Sequence, residues 1–244
     1  MPPTKILARP ARRLLYAKPL SYPLSRSIST TPAPKSQPSP TTTTTEEDKP
    51  RKLKPLTKEQ CDFLASALRV NQAGELAATL IYAAQTPPLV RRHPHLRPLM
   101  AHMYAQEADH FRTFNDLVHR HRVRPTAMYP VWSVLATGLG WSTAVMGREA
   151  AMACTEAVET EIGGHYNAQI RTLLEMVSQW EAEGYEVGEE LSELVLTLRR
   201  IRDEELEHLD HAVEHDAKKA EPHWLLTSVI RAGCRGAIWV SEKI

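Results

Sequence analysis

The sequence predicts an all-α protein, a four-helix bundle with extra apolar helices that face a membrane, and three observations carry that prediction. Apolar residues recur at steps of three and four along four long stretches, and nowhere does the period-two alternation of a half-buried strand compete. Each of those four apolar stripes is interrupted by Glu or by a Glu-x-x-His pair, so polar groups enter what should be a core. Two further stretches, Pro125 to Gly147 and the segment after Pro222, are apolar without belonging to that set.

The first residues stand apart from the fold. Residues 1–45 carry Lys5, Arg9, Arg12, Arg13, Lys18, Arg26 and Lys35, with no acidic residue before Glu46 and many Ser, Thr and Pro. That is the composition of a mitochondrial transit peptide, and no continuous apolar core follows the first charges as a secretory signal would require. A basic disordered arm is the competing reading. Removal is expected between Arg26 and Glu46, and the run Thr41 to Thr45 with Glu46, Glu47 and Asp48 reads as a disordered linker. Residues 46–244 are then one helical domain, long enough for a sizeable core.

The first helix starts near Thr57, where Gln60 three residues on completes a capping box, and is expected to end before Pro87-Pro88. It carries Glu75 in line with Leu64, Leu68 and Tyr82. Gly and Ala around Glu75 leave little bulk, which serves either helix packing or access to a metal. A Pro-rich connection leads to the second helix, from about Pro98 to His121, whose inward stripe runs Leu96, Met100, Met103, Glu107, His110, Phe114, Leu117. His93, His95, His102, His119 and His121 lie off that stripe and read as surface or capping residues.

Residues 125–147 contain no charge but two Pro and three Gly, too weakly apolar for a span. A helix in the membrane interface or the wall of an apolar tunnel suits Tyr129, Trp132 and Trp141, and an ordinary core helix is the alternative. The third ligand-bearing helix runs from about Arg148 to Val177. Among its carboxylates Glu159 is preferred because Met152 and Tyr166 lie one heptad either side. Glu161 falls about 200° round the helix, and Glu156, one turn earlier, competes. Tyr166 is a candidate to support the ligands from behind or simply to pack.

Trp180 to Glu190 reads as a loop. The fourth stripe, from about Glu189 to Glu214, runs Leu191, Leu194, Leu198, Ile201, Glu205, His208, Ala212, and this periodicity leaves Glu204 and Glu207 on the solvated face. The tail from Trp224 to Val240 is helical in period but broken by Arg231 and Arg235, and it packs on the bundle or faces a membrane. Cys61, Cys154 and Cys234 lack CxxC spacing and read as buried thiols in a reducing compartment.

One inward Glu, an inward ExxH, a second inward Glu and a second ExxH, in that order on four helices, form the ligand set of a two-metal carboxylate site inside a bundle. The candidates are Glu75, Glu107, His110, Glu159, Glu205 and His208. Four carboxylates and two neutral imidazoles balance two divalent ions, so such a site can sit in a low-dielectric interior. With 30 basic and 29 acidic residues the net charge gives no argument for nucleic acid. No dinucleotide fingerprint, P-loop or nucleophile elbow is present.

The motifs around these residues, RVNQAGELAA, QEADH, ACTEAVETEIGGHYNAQIR, RDEELEHLDHAVEHDA and the terminal AGCRGAIWVSEKI, resemble the demethoxyubiquinone hydroxylases, ferritin-like di-iron enzymes of ubiquinone biosynthesis. The resemblance covers about Leu56 to Ile244 and implies the same six ligands. It further implies two iron ions, O2 as cosubstrate, NADH as electron donor, and hydroxylation of the demethoxyubiquinol ring to the demethylubiquinol product. The implied setting is the matrix side of the mitochondrial inner membrane, as a peripheral protein. The implied partners are a long-tailed quinone substrate, a lipid-binding companion protein and other members of the ubiquinone-synthesis complex. A ferritin-like ferroxidase or another di-iron quinol oxidase would share the ligands, and a non-enzymatic membrane-associated helical protein would need none of them.

Overall fold

The structure, a computed structural model, describes residues 53–244; the transit-peptide and linker expectations fall on residues outside that range. The described residues form six α-helices: α1 (Lys58–Arg92), α2 (Arg97–Arg120), α3 (Tyr129–Met146), α4 (Arg148–Ala182), α5 (Glu189–Glu214) and α6 (His223–Lys243). Helices α1, α2, α4 and α5 are the four ligand-bearing helices, with α1 packed along α2 and α4 along α5. The remaining two cover the outside, α3 against α1 and α4, α6 against α4 and α1.

Local chemistry explains most boundaries. At the start of α1 the Gln60 amide donates to Thr57 Oγ1 at 3.3 Å and the Thr57 amide to Gln60 Oε1 at 3.0 Å, which closes the expected capping box. Helix α3 takes Pro130 in its first turn, where a missing N–H costs nothing. The chain passes from α3 to α4 through Gly147 at φ 142°, a conformation that disfavours a side chain.

Two boundaries differ from the sequence expectation. Helix α1 does not stop before Pro87-Pro88 but runs through both to Arg92. Each proline removes one backbone hydrogen bond, a cost of roughly 3 kcal/mol in a helix interior. Continuing the helix, however, buries Leu89 and Val90 against Met100, Met103 and Met152, and tertiary burial outweighs the local preference. Helix α4 likewise extends to Ala182 because Trp180 is buried in the core, which shortens the expected loop to residues 183–188.

The core has two main parts along the bundle. One gathers Leu68, Phe114, Val118, Tyr166, Leu173, Leu198 and Ile201; the other gathers Tyr82, Leu89, Met100, Met103, Met152 and Ala212. The Glu and His stripes lie between them in sequence on every helix, so apolar layers close the site from both ends. A third cluster, Ile81, Ala136, Cys154, Val158 and Ile230, lies where α3 and α6 meet the bundle. There α3 and α1 approach so closely that a Cβ on Gly140 would lie 2.5 Å from the Ile81 carbonyl oxygen.

The cysteine expectation holds for Cys154 and partly for Cys234. Cys61 is exposed, because it sits in the first turn of α1, ahead of Leu68, the first buried residue of that helix. Among the described residues no helix is long and apolar enough to cross a membrane. Yet α3 and α6 present large apolar side chains to solvent: Val134, Trp141, Met146, Trp224, Val229 and Trp239 are all more than half exposed.

Candidate metal centre

Glu75 from α1, Glu107 and His110 from α2, Glu159 from α4, and Glu205 and His208 from α5 are each at most 1 % exposed and converge between the core layers. They fall into two quartets whose donor atoms lie within 4.8 Å of one another. Glu75, Glu107, His110 and Glu205 form one; Glu107, Glu159, Glu205 and His208 form the other. Glu107 and Glu205 belong to both, leaving one further Glu and one His on each side. Two such overlapping quartets could hold two cations, with Glu107 and Glu205 within reach of both positions.

The electrostatics of these side chains taken by themselves are unfavourable. Burial first, then repulsion from Glu205 and Glu75, holds the Glu107 carboxyl well above the usual range. Burial, then Glu205 and Glu107, does the same to Glu159, and burial with Glu205 raises Glu75. Burial alone would push Glu205 up, but hydrogen bonds and charge from His110 and His208 hold it down at about 2. Burial alone would lower His110, yet the Glu205 and Glu75 carboxylates raise it to about 12. Even so, Glu75 Oε2, both Glu107 oxygens, Glu159 Oε2, Glu205 Oε1 and His110 Nδ1 have no satisfactory hydrogen-bond partner. Buried acceptors left unpaired at the centre of one cluster are costly. Hard divalent cations are what such oxygen-rich donors accept, so the residues fit a two-metal carboxylate centre.

A ring of polar residues orients the ligands from behind. Tyr166 Oη donates to Glu75 Oε1, and Tyr82 Oη donates to Glu159 Oε1 at 3.0 Å. Burial keeps both phenols protonated, hence donors. His110 Nε2 lies 2.5 Å from Glu204 Oε2, and His208 Nε2 lies 3.0 Å from Gln106 Oε1. Each imidazole is thereby tethered at Nε2 while Nδ1 faces the carboxylates: His110 Nδ1 is 3.1 Å from Glu205 Oε1, and His208 Nδ1 2.9 Å from Glu107 Oε1.

Glu204 departs from expectation. The stripe placed it on the solvated face, but at about 100° per residue it is only about 40° round the helix from His208. From that shoulder it reaches across to α2, with Arg200 Nη1 at 3.0 Å from the same oxygen. Gln106 and Tyr82 also went unassigned, although each sits one position or two turns from a chosen ligand on its own helix. Glu207 is exposed as expected, and Glu156 is drawn away from the centre by Lys218 and by His223 Nε2 at 2.8 Å. His93, His95, His102, His119 and His121 all lie outside the cluster.

Beside the centre, α1, α3, α4 and α6 enclose an apolar cavity of about 330 Å³ lined by Gly74, Ala77, Leu139, Val158, Ile162 and Ile230 among others. Gly74 and Val158 immediately precede Glu75 and Glu159 in the chain, so the cavity floor adjoins the ligands. A Cβ on Gly74 would meet nothing within 4 Å, which assigns this glycine to open space rather than to tight helix packing.

Comparison with known proteins agrees with this geometry. A family described as ubiquinone biosynthesis protein COQ7 matches residues 62–241. The chain is 46% identical over 194 residues to the mitochondrial 5-demethoxyubiquinone hydroxylase of Saccharomyces cerevisiae, covering 79% of this chain and 83% of that protein. It is 46% identical over 177 residues to the mitochondrial NADPH-dependent 3-demethoxyubiquinone 3-hydroxylase of Homo sapiens, covering 72% and 76%. It is 41% identical over 177 residues to the 3-demethoxyubiquinol 3-hydroxylase of Rhodospirillum rubrum, again 72% and 76%.

Proposed function

This chain belongs to the ubiquinone biosynthesis protein COQ7 family, and on that premise we propose that it hydroxylates the demethoxyubiquinol ring at a two-iron centre held by Glu75, Glu107, His110, Glu159, Glu205 and His208. The observation that carries the ligand assignment is the pair of overlapping buried quartets with unpaired carboxylate oxygens at their centre. Iron bound there would supply reductive activation of O2. One oxygen atom replaces a ring hydrogen as hydroxyl, the other leaves as water, and two electrons come from a reduced nicotinamide. The name of the Homo sapiens relative specifies NADPH, where the resemblance implied NADH.

The chain's own residues prepare this chemistry. Tyr166 and Tyr82 fix the outer carboxylate oxygens of Glu75 and Glu159 and keep the other oxygen of each turned inward. Glu204 and Gln106 lock the two imidazoles with Nδ1 inward. Apolar core layers close the site from both ends, and the cavity beside Gly74 and Val158 offers a quinol ring an apolar approach. A ferroxidase reading has no use for that cavity or for the apolar faces of α3 and α6.

The wider setting belongs to the same proposal. Residues 1–45 target the protein to mitochondria, where the eukaryotic relatives are named. Residues 46–244 work as a peripheral protein on the matrix face of the inner membrane, supplied with a long-tailed quinone by a lipid-binding companion and other ubiquinone-synthesis proteins. The test is iron analysis together with turnover of a demethoxyquinol under isotopically labelled O2. Two irons per chain and one labelled atom in the product are expected. Iron oxidation without any labelled product would replace hydroxylation by ferroxidase activity.

A further inference from the structure

A second set of metal-ligating side chains lies outside the buried centre. His102 on α2 and Glu207 and His211 on α5 bring one donor atom each to within 4.8 Å of one another, at a partly exposed position. None of the three belongs to the buried quartets. We propose that these residues form a separate, exchangeable divalent-cation site of two imidazoles and one carboxylate, which captures the ion before it enters the buried centre.

The geometry is more than proximity. Glu207 and His211 are four residues apart on one helix face, and His211 Nε2 lies 3.6 Å from Glu207 Oε1. His211 Nδ1 lies 3.7 Å from Glu214 Oε2, so a further carboxylate stands near the other ring nitrogen, beyond hydrogen-bond distance. The His102 ring stands edge-on to that of His211, centroids 6.4 Å apart, so the two imidazoles from α2 and α5 face one another across the helix pair. Two imidazoles and a carboxylate leaving open positions suit Fe(II) and, in vitro, Co(II) or Zn(II). Exposure makes the site reversible, since water completes the shell.

Its position gives it a role. His102 precedes Gln106 by one turn on α2, and Gln106 Oε1 contacts Nε2 of the buried His208. On α5, Glu207 adjoins His208 and His211 follows by one turn. A polar step, Gln106 with His208, thus lies one helical turn from the surface triad on the way to the buried centre. The capture role rests on the buried cluster being a metal centre; the surface site itself does not.

Cobalt titration of the full-length, metal-stripped protein, followed by absorption and by dialysis stoichiometry, separates the possibilities. Wild type should bind three equivalents, one of them exchanging rapidly into chelator, and His102→Ala and His211→Ala should each lose only that one. Glu214→Gln, which leaves all three donors in place, should still bind three equivalents. In stopped-flow loading at limiting Fe(II), the two alanine variants should fill the buried centre more slowly than wild type, while reaching the same final iron content. Two equivalents in wild type and in both variants would overturn the surface site. One equivalent in wild type and none in the variants would keep the surface site and overturn the buried one. Unchanged loading rates with three equivalents bound would overturn the capture role.

Discussion

Glu204 and Glu205 are adjacent in the chain, yet the fold gives them different tasks. Glu205 belongs to both quartets and accepts charge from both imidazoles, whereas Glu204 holds His110 from its outer nitrogen. Replacing Glu205 by Gln should abolish hydroxylation and lower iron content, because a shared donor is lost. Glu204→Gln keeps the shape but weakens the tether, so metal affinity or activity should fall about 10- to 100-fold. Asp203→Asn, at a surface pair with Arg202, should change neither. Equal activity of Glu204→Gln and Asp203→Asn would remove Glu204 from the site. The same residues set a pH dependence. Carboxyls raised in the fold, Glu75, Glu107 and Glu159, stabilise the metal-free protein below their unfolded pKa and lose that contribution as pH rises. His110, raised to about 12, acts in the same direction above its unfolded value. Glu205, held at about 2, contributes above its unfolded value and loses this only in the acid limb. The melting temperature of the metal-free protein should therefore fall from about pH 5.5 to about pH 8, with a flatter profile once metal is bound. A rising profile would contradict the cluster's electrostatics. Periodicity alone reached the six inward residues, because a stripe constrains a centre strongly. It placed Tyr82 on the inward stripe without its hydrogen bond to Glu159, and it left out the roles of Glu204 and Gln106, which depend on what the neighbouring helix places opposite them.

At the scale of the helix, the sequence located all six elements but misread where α1 and α4 end. Pro87-Pro88 and the polar run after Trp180 are strong local stop signals. Each was overridden by a buried residue just beyond or within it, Leu89 in one case and Trp180 in the other. Such burial depends on the partner helix and leaves no local mark. Gly140 is a similar case. In the sequence it is one of three glycines that weaken an apolar run; in the fold its missing side chain lets α3 lie directly on the α1 backbone. Gly140→Ala would force a methyl group against the Ile81 backbone, which cannot yield as a side-chain tip can. A loss of roughly 1–3 kcal/mol in thermal or chemical unfolding is expected. Gly138→Ala, with nothing within 4 Å, serves as the matched control and should be neutral or stabilising. Indistinguishable unfolding of the two variants would show that α3 is free to move off α1.

Across the described molecule, the bundle buries a cluster of carboxylates and imidazoles and exposes some of its largest apolar residues. That inversion makes sense if the two sets serve the same substrate. The cavity between α3 and α6 adjoins the Glu75 and Glu159 segments on its inner side, while Trp141 on α3 and Trp224 and Trp239 on α6 are exposed on the helices that wall it. A polyprenyl quinol partitions into the bilayer, so its ring reaches a buried centre only if the protein meets the membrane with an apolar surface. Aromatic residues without nearby acidic groups on α3 suit shallow insertion at the headgroup level. Leu139, on the same helix, lines the cavity, and its replacement would disturb ring binding directly. Trp141→Asp, 58 % exposed and remote from the ligands, isolates the membrane contact. It should weaken sedimentation with liposomes of anionic composition and slow turnover of a long-tailed demethoxyquinol several-fold. Turnover of a short-tailed, water-soluble analogue and the iron content should stay at wild-type values, because neither depends on docking. If both substrates slow equally, Trp141 acts through the fold, and if liposome binding persists, the apolar faces of α3 and α6 meet another protein instead of lipid.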